Sequence, residues 1–245
     1  MINLVIDIGN SRTKIALFNE HDLMFNVPVE HLTVNHVRML KDEHPQLTQA
    51  ILSSTKPVDD ELIQFLSGQF DFFTELTHET DIPIENLYET PETLGKDRLA
   101  AAIGANELFP DQNLLIIDAG TAITYDLVSE KNQFIGGNIS PGLQMRYKAL
   151  NHFTGKLPLV TQSDDFQLIG KNTIEAIRSG VQNGMLYEIA QTIESFNRNY
   201  QNLQIIMTGG DSYFFDKKLN YSIFVHFNLT LIGLNRILEH NAKKN

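Results

Sequence analysis

The chain of 245 residues contains no cysteine, which excludes disulfides, thiolate catalysis and cysteine-held zinc. Long apolar runs are also missing. None approaches the roughly 18 residues of a membrane-spanning helix, and Met1-Ile2-Asn3-Leu4-Val5-Ile6-Asp7 lacks the basic segment and cleavage site of a secretory leader. The expected location is therefore the cytoplasm. Positive charge is sparse: 19 Lys and Arg against 30 Asp and Glu give a net charge of -11. That balance disfavours nucleic acid and anionic membranes, which require clustered cations. Small anions stay open as ligands, because salt screens distant surface charge over about 10 Å. The eight histidines show no HExxH or paired spacing, so a histidine-held metal is not expected. A hydrophobic share of 42% with 20% charged residues describes a globular chain, either one large domain or two smaller ones.

What is present centres on Leu114-Leu115-Ile116-Ile117-Asp118-Ala119-Gly120-Thr121-Ala122-Ile123-Thr124-Tyr125-Asp126-Leu127-Val128. The apolar run suits a central strand. Gly120 lets backbone N–H groups approach an anion. Asp118 and Asp126 beside such a turn would repel phosphate unless a cation lay between them. Val5-Ile6-Asp7-Ile8-Gly9-Asn10-Ser11-Arg12-Thr13-Lys14 repeats part of this pattern, with an Asp, a Gly two positions later and a Thr six positions after the Asp. Two such hairpins point to an internal duplication. Each glycine alone also fits an ordinary hairpin turn; each behind an Asp at a strand end, they favour phosphate binding.

The pattern predicts a β-β-β-α-β-α-β order over the first part, with a surface loop over 80–93. Leu94-Gly95-Lys96-Asp97-Arg98 opens an alanine-rich helix that stops at Phe109-Pro110, which places these charges at a helix start that favours anions. They also suit ordinary first-turn positions. A strand leads into Gly136-Gly137-Asn138-Ile139-Ser140-Pro141-Gly142, a helix follows over 143–150, and 151–170 is irregular. A long helix from Thr173, for which Thr173 can serve as N-cap, a strand over 204–207 ending at Thr208-Gly209-Gly210-Asp211, and a closing helix over about 229–240 complete the chain.

DIGNSRTK at 7–14, GKDR at 95–98, DAGTAITYD at 118–126, GGNISPG at 136–142, Thr173 with IRSG at 177–180, TGGD at 208–211 and LTLIGL at 229–234 together resemble the type III pantothenate kinases. The resemblance runs over nearly the whole chain in the same order. It implies the acetate and sugar kinase/actin-like fold: two ribonuclease-H-like α/β domains, here 1–113 and 114–245, with nucleotide in the cleft. It further implies transfer of the ATP γ-phosphoryl group to pantothenate at the first step of coenzyme A synthesis, in a homodimer. A divalent cation (Mg2+) with the nucleotide and a monovalent cation (K+ or NH4+) are implied as well.

Position by position, Asp7, Ile8, Gly9, Asn10, Ser11, Arg12, Thr13 and Lys14 resemble the first phosphate loop, with Asp7 towards the metal and phosphate. Thr121 resembles an ATP contact and Asp118 the monovalent-cation ligand. Tyr88, Gly95, Lys96, Asp97, Arg98 and Thr173 resemble the pantothenate site, with Asp97 as proton acceptor. Phosphoryl transfer needs donors around the phosphate, a metal and one oriented carboxylate, and flanking Lys96 and Arg98 are expected to keep Asp97 ionised. Ser11, Ala16 and Ile232 depart from the family pattern without removing a proposed catalytic group. Two rival readings keep the same fold: a kinase for another small hydroxy acid or sugar, and a non-catalytic nucleotide-binding regulator or actin-like protein, which would not need Asp97.

Overall fold

The computed structural model describes residues 2–10 and 12–244. Ser11, one of the expected nucleotide-loop residues, lies outside the described residues. Two compact units emerge, one of residues 1–110, 132–134 and 228–245, the other of 111–131 and 135–227.

The first unit begins with β1 (Ile2–Ile8), β2 (Thr13–Asn19) and β3 (Asp22–Val29), an antiparallel meander. Helix α1 (Val34–Glu43) carries the chain to β4 (Leu47–Ser54), and α2 (Asp60–Gln69) to β5 (Phe72–Glu75). Strand β4 runs parallel to β1 and β5 parallel to β4, in the order β3-β2-β1-β4-β5. β1 takes the centre because Leu4, Val5 and Ile6 are all fully buried. Consecutive strand residues face opposite sides of a sheet, so a strand apolar at every position must be covered on both. Asp59 caps α2 by accepting from the Glu61 amide at 3.0 Å.

Helices α3 (Lys96–Leu108) and α7 (Leu229–Ala242) belong to the same unit and pack backbone to backbone. A Cβ on Gly233 would stand 1.8 Å from the Ala100 carbonyl oxygen, and one on Gly104 2.1 Å from that of Leu229. The alanine-rich body of α3 therefore reflects close helix packing as well as helix propensity.

The second unit repeats the plan. Strand β7 (Leu114–Ala119) pairs antiparallel with β8 (Ala122–Ser129), which neighbours β9 (Gln133–Pro141). After α4 (Leu143–Phe153) and α5 (Thr173–Asn199) come β10 (Gln204–Thr208), α6 (Ser212–Asp216) and β11 (Ile223–Val225). β10 is parallel to β7 and β11 to β10, so the order β9-β8-β7-β10-β11 matches that of the first sheet. Ile177, Val181, Met185, Ile189 and Ile193 form the buried stripe of α5 at intervals of one turn.

Two short features were not legible in the sequence. The expected surface loop over 80–93 contains a two-residue strand, β6 (Glu85–Asn86), paired with Gln133 and Phe134, and a 3-10 turn over Pro91–Thr93. Residues 212–225 hold α6 and β11, which the periodicity did not predict. Elements of two to five residues are too short to display a period of 2.0 or 3.6.

Candidate active site

In the first unit, the turn between β1 and β2 is closed by the Gly9 amide donating to the Arg12 carbonyl at 3.0 Å. A Cβ on Gly9 would sit 3.1 Å from that carbonyl oxygen, so the residue is small where the loop is tightest. Asp7 lies directly across the ladder from Lys14, and Ile8 across from Thr13. Burial pushes the Asp7 carboxyl up to about 6; Lys14 opposes the rise and the charge of Asp97 adds to it. Desolvation thus outweighs the neighbouring lysine. Asp97 is thus near enough for its charge to be felt at Asp7.

One contributor escaped the sequence reading. Lys56, in the loop after β4, donates from Nζ to the Asn10 carbonyl at 2.6 Å, while the Thr55 amide donates to Ile8 at 3.0 Å. Since β4 runs parallel beside β1, the loops at their C-terminal ends converge, as in other open α/β sheets. A lone lysine after a strand carries no motif; only the strand order reveals it.

Gly95 is the N-cap of α3, and the Leu99 amide returns to its carbonyl at 3.1 Å. Asp97 folds back over this cap. Its Oδ1 accepts from the Arg98 amide at 2.9 Å, and a Cβ on Gly95 would stand only 2.7 Å from the same oxygen. Gly95 is therefore needed for the carboxylate to take this position. Arg98 is buried, with its guanidinium 5.7 Å from the Tyr88 ring centroid. Tyr88 in turn packs against Phe134 at 6.1 Å, and its amide donates to Asn86 Oδ1 at 3.1 Å. The structure thus brings Tyr88 to the GKDR segment. Lys96 goes elsewhere: its Nζ pairs with Glu75 Oε1 at 3.6 Å, so it serves Glu75 and not the flank of Asp97.

In the second unit the duplicated turn is one residue shorter, closed by the Gly120 amide donating to the Ala122 carbonyl at 3.1 Å. The Thr121 carbonyl accepts from the Gly142 amide at 3.2 Å, and that of Ala119 from Asp211 at 3.0 Å. Asp118 sits at the end of β7, its Oδ1 2.9 Å from where a Gly120 Cβ would be and 2.5 Å from that of Gly209. Gly209 has φ +92°, a conformation open to glycine. Thr124, directly across the ladder from Asp118, has a buried hydroxyl with no hydrogen-bond partner. Asp211 is raised above the usual carboxylate range by burial. Asp126 is almost fully buried behind Gly137. Thr173 is the exposed first residue of α5. It does not cap the helix; Asn172 does, accepting from the Glu175 amide at 3.0 Å.

Among the described residues, no group of three His, Cys, Asp or Glu could hold a metal. A divalent cation that keeps its waters and rests on one carboxylate plus substrate phosphates needs no such group, and half-buried Asp7 is a carboxylate of that kind. The Gly9 turn provides the close backbone approach that phosphate requires. For a monovalent cation the donor set is oxygen only, the carboxylate of Asp118 and the orphaned hydroxyl of Thr124.

A family model described as type III pantothenate kinase matches residues 3–195. The type III pantothenate kinase of Phocaeicola vulgatus is 43% identical over 242 residues, covering 99% of this chain and all of that one. That of Christiangramia forsetii is 42% identical over 241 residues, covering 98% and 99%. Among solved structures, a Campylobacter jejuni protein named for the Baf family of transcriptional activators superposes with a TM-score of 0.62 at 22% identity, covering 98% of this chain and 99% of that one. The activator of the 2-hydroxyisocaproyl-CoA dehydratase from Clostridium difficile, solved with ADPNP, gives 0.55 at 11% identity and covers all of this chain and 96% of its own. At these identities the structures show a shared fold.

Proposed function

This chain belongs to the type III pantothenate kinase family, and from that premise we propose how its own residues carry out the ATP-dependent phosphorylation of pantothenate to 4'-phosphopantothenate in coenzyme A synthesis. Its fold is the acetate and sugar kinase/actin-like one, consistent with two sheets that share a five-strand order, β6 adding a sixth strand to the second. Residues 7–14 bind the nucleotide phosphates, with Lys14 and Lys56 supplying positive charge and Gly9 the close backbone approach. Thr121 supports the nucleotide from the second hairpin. Arg98, Tyr88, Gly95 and Lys96 are the pantothenate-binding residues of the first unit, and Thr173 is that of the second. Asp97 accepts the proton of the attacking hydroxyl through Oδ2, since Oδ1 is held by the Arg98 amide.

Asp7 is the residue that would hold the divalent cation, which neutralises charge developing on the transferred group. Asp118, with the Thr124 hydroxyl, would hold the monovalent cation. The single observation that supports this reading is that the charge of Asp97 reaches Asp7 and adds to the rise of its carboxyl, as expected of a base that works near the phosphate loop. A non-catalytic nucleotide binder would have no use for a carboxylate seated there by a glycine cap.

The family also points to a cytoplasmic homodimer. Phe153, Leu168, Ile169 and Ile174 are strongly exposed within the second unit and supply apolar surface for self-association. No helix among the described residues is long and apolar enough to cross a membrane. The test is a coupled kinase assay of the purified chain with pantothenate and a panel of sugars and hydroxy acids, alongside Asp97→Asn. Turnover with pantothenate that collapses in the variant is expected. Turnover only with another acceptor would overturn the substrate assignment, and full activity of the variant would remove Asp97 as base.

A further inference from the structure

In the second unit the guanidinium of Arg146, on α4, holds three acceptors at once. Its Nε donates to the Pro141 carbonyl at 2.7 Å, and its Nη2 to Ser140 Oγ at 3.1 Å and Glu188 Oε2 at 2.5 Å. We propose that Arg146 is a positioning residue for the nucleotide: by clamping the Ser140–Pro141 turn it fixes the place of Thr121, a role that rests on Thr121 being a nucleotide contact.

The clamp is one side of a closed ring of hydrogen bonds. From β8, the Tyr125 hydroxyl donates to Glu188 Oε1, on α5, at 3.2 Å. Tyr125 is buried, and that burial, reinforced by Glu188, raises its hydroxyl far above the ordinary range, so it stays a donor at every working pH. Both Glu188 oxygens are thus engaged, one by Tyr125 and the other by Arg146. Past the clamped turn, the Gly142 amide donates to the Thr121 carbonyl at 3.2 Å, which brings the ring back to the hairpin it left.

Two features make this ring a positioning device. The first turn of α4 is already closed by the Arg146 amide donating to the Gly142 carbonyl at 3.0 Å, so what the guanidinium adds is a hold on the residues before the helix. A Cβ on Gly142 would stand 2.3 Å from the Gly120 carbonyl oxygen and 2.4 Å from that of Thr121. Backbone therefore lies on backbone, and a shift of the clamped turn passes to the hairpin with no side chain between to absorb it. The Arg146 and Glu188 side chains are only 20% and 28% exposed, which makes their charge-assisted bond stronger than one at an open surface.

Arg146→Gln, Arg146→Lys and Thr121→Ala in the full-length chain test this. Hydrogen exchange reads the clamp in the ligand-free protein, calorimetry reads Mg-ATP binding without an acceptor, and steady-state kinetics separate the two substrates. In Arg146→Gln the Gly142 amide should exchange about 10-fold faster or more. Kd and KM for Mg-ATP should rise about 5-fold or more, with KM for pantothenate held within about 2-fold. Lysine keeps the charge opposite Glu188 but lacks the planar fork, so Arg146→Lys should fall between Arg146→Gln and the parent. In a Thr121→Ala background, Arg146→Gln should weaken Mg-ATP by less than about 2-fold more, because both act through one contact.

Unchanged exchange at Gly142, an equal rise of KM for both substrates, full additivity with Thr121→Ala, or a lowered melting temperature with unchanged Mg-ATP affinity each overturns the proposal. If Thr121→Ala weakens Mg-ATP and Arg146→Gln does not, the clamp is at fault. If neither does, Thr121 is not a nucleotide contact, and the reading on which the clamp rests falls with it.

Discussion

Asp7→Asn should make the ligand-free protein more stable above neutral pH while abolishing its use of nucleotide. The Asp7 carboxyl is raised from 3.8 to about 6, chiefly by burial. At about 1.4 kcal/mol per pH unit, ionising it in the folded chain costs about 3 kcal/mol relative to the unfolded chain. Below pH 3.8 the group is protonated in both states and the stability it contributes is fully present. That contribution is lost as pH rises through about 6. An asparagine cannot ionise, so its advantage over aspartate should be absent near pH 4, grow to pH 6–7 and then level off.

The amide must itself be solvated in a buried setting, which reduces the gain to about 1–3 kcal/mol. For a chain of this size that is a rise in Tm of roughly 2–10 °C. Urea titrations of both proteins at pH 4, 5, 6, 7 and 8, without nucleotide or divalent cation, measure the difference directly. Because every other carboxylate is common to the pair, subtraction isolates Asp7. Parallel pH profiles, or a variant less stable at pH 8, would refute the reasoning that desolvation dominates Lys14. In the nucleotide-bound enzyme the order should reverse: Mg-ATP should stabilise the parent and leave Asp7→Asn almost unmoved.

Asp97→Asn should keep its melting temperature and nucleotide binding but lose about 10²-fold or more in kcat, read in the coupled assay and by calorimetry. Gly95→Ala should cut kcat while keeping most of the stability, because its Cβ would meet Asp97 Oδ1 at 2.7 Å and displace the carboxylate; restored activity would show that Asp97 acts from another position. Replacing K+ by Na+ should slow the parent enzyme, whereas Asp118→Asn should be slow in both salts; equal rates of the parent in the two salts would remove Asp118 from its role. Lys56→Ala should raise KM for ATP more than it lowers kcat, since Lys56 anchors the Asn10 carbonyl and not a reacting atom.

What the sequence disclosed follows from how each element signals itself. The central strands were legible because residues 4–6 and 114–117 are apolar at every position, which only a strand covered on both faces requires. The GKDR segment was legible because glycine and three charges at a helix start form a compact local pattern. Lys56 was not, since its relation to Asn10 arises from parallel pairing of strands more than forty residues apart. The pairing of Lys96 was not legible for the converse reason: its neighbour in sequence is Asp97, but its partner in space is Glu75. β11 was missed because three residues carry no period, although it is the strand that completes the second copy of the sheet.

The duplication also shows where the two copies have parted. Both turns are closed by a glycine amide two residues beyond an aspartate, at 3.0 and 3.1 Å, but the second turn is one residue shorter. The residue across the ladder also differs: Asp7 faces Lys14, whereas Asp118 faces Thr124. A lysine opposite the first carboxylate supplies fixed positive charge and partly offsets the burial of Asp7. A threonine opposite the second supplies no charge, and its hydroxyl is left without a partner. On the proposed reading, one hairpin carries its cation covalently, and the other would borrow one from solution. Thr124→Lys should make the second hairpin resemble the first, removing any dependence of the rate on K+ while leaving the β7–β8 pairing intact. A Thr124→Lys enzyme that still required K+ would break the link between the unpaired hydroxyl and the cation.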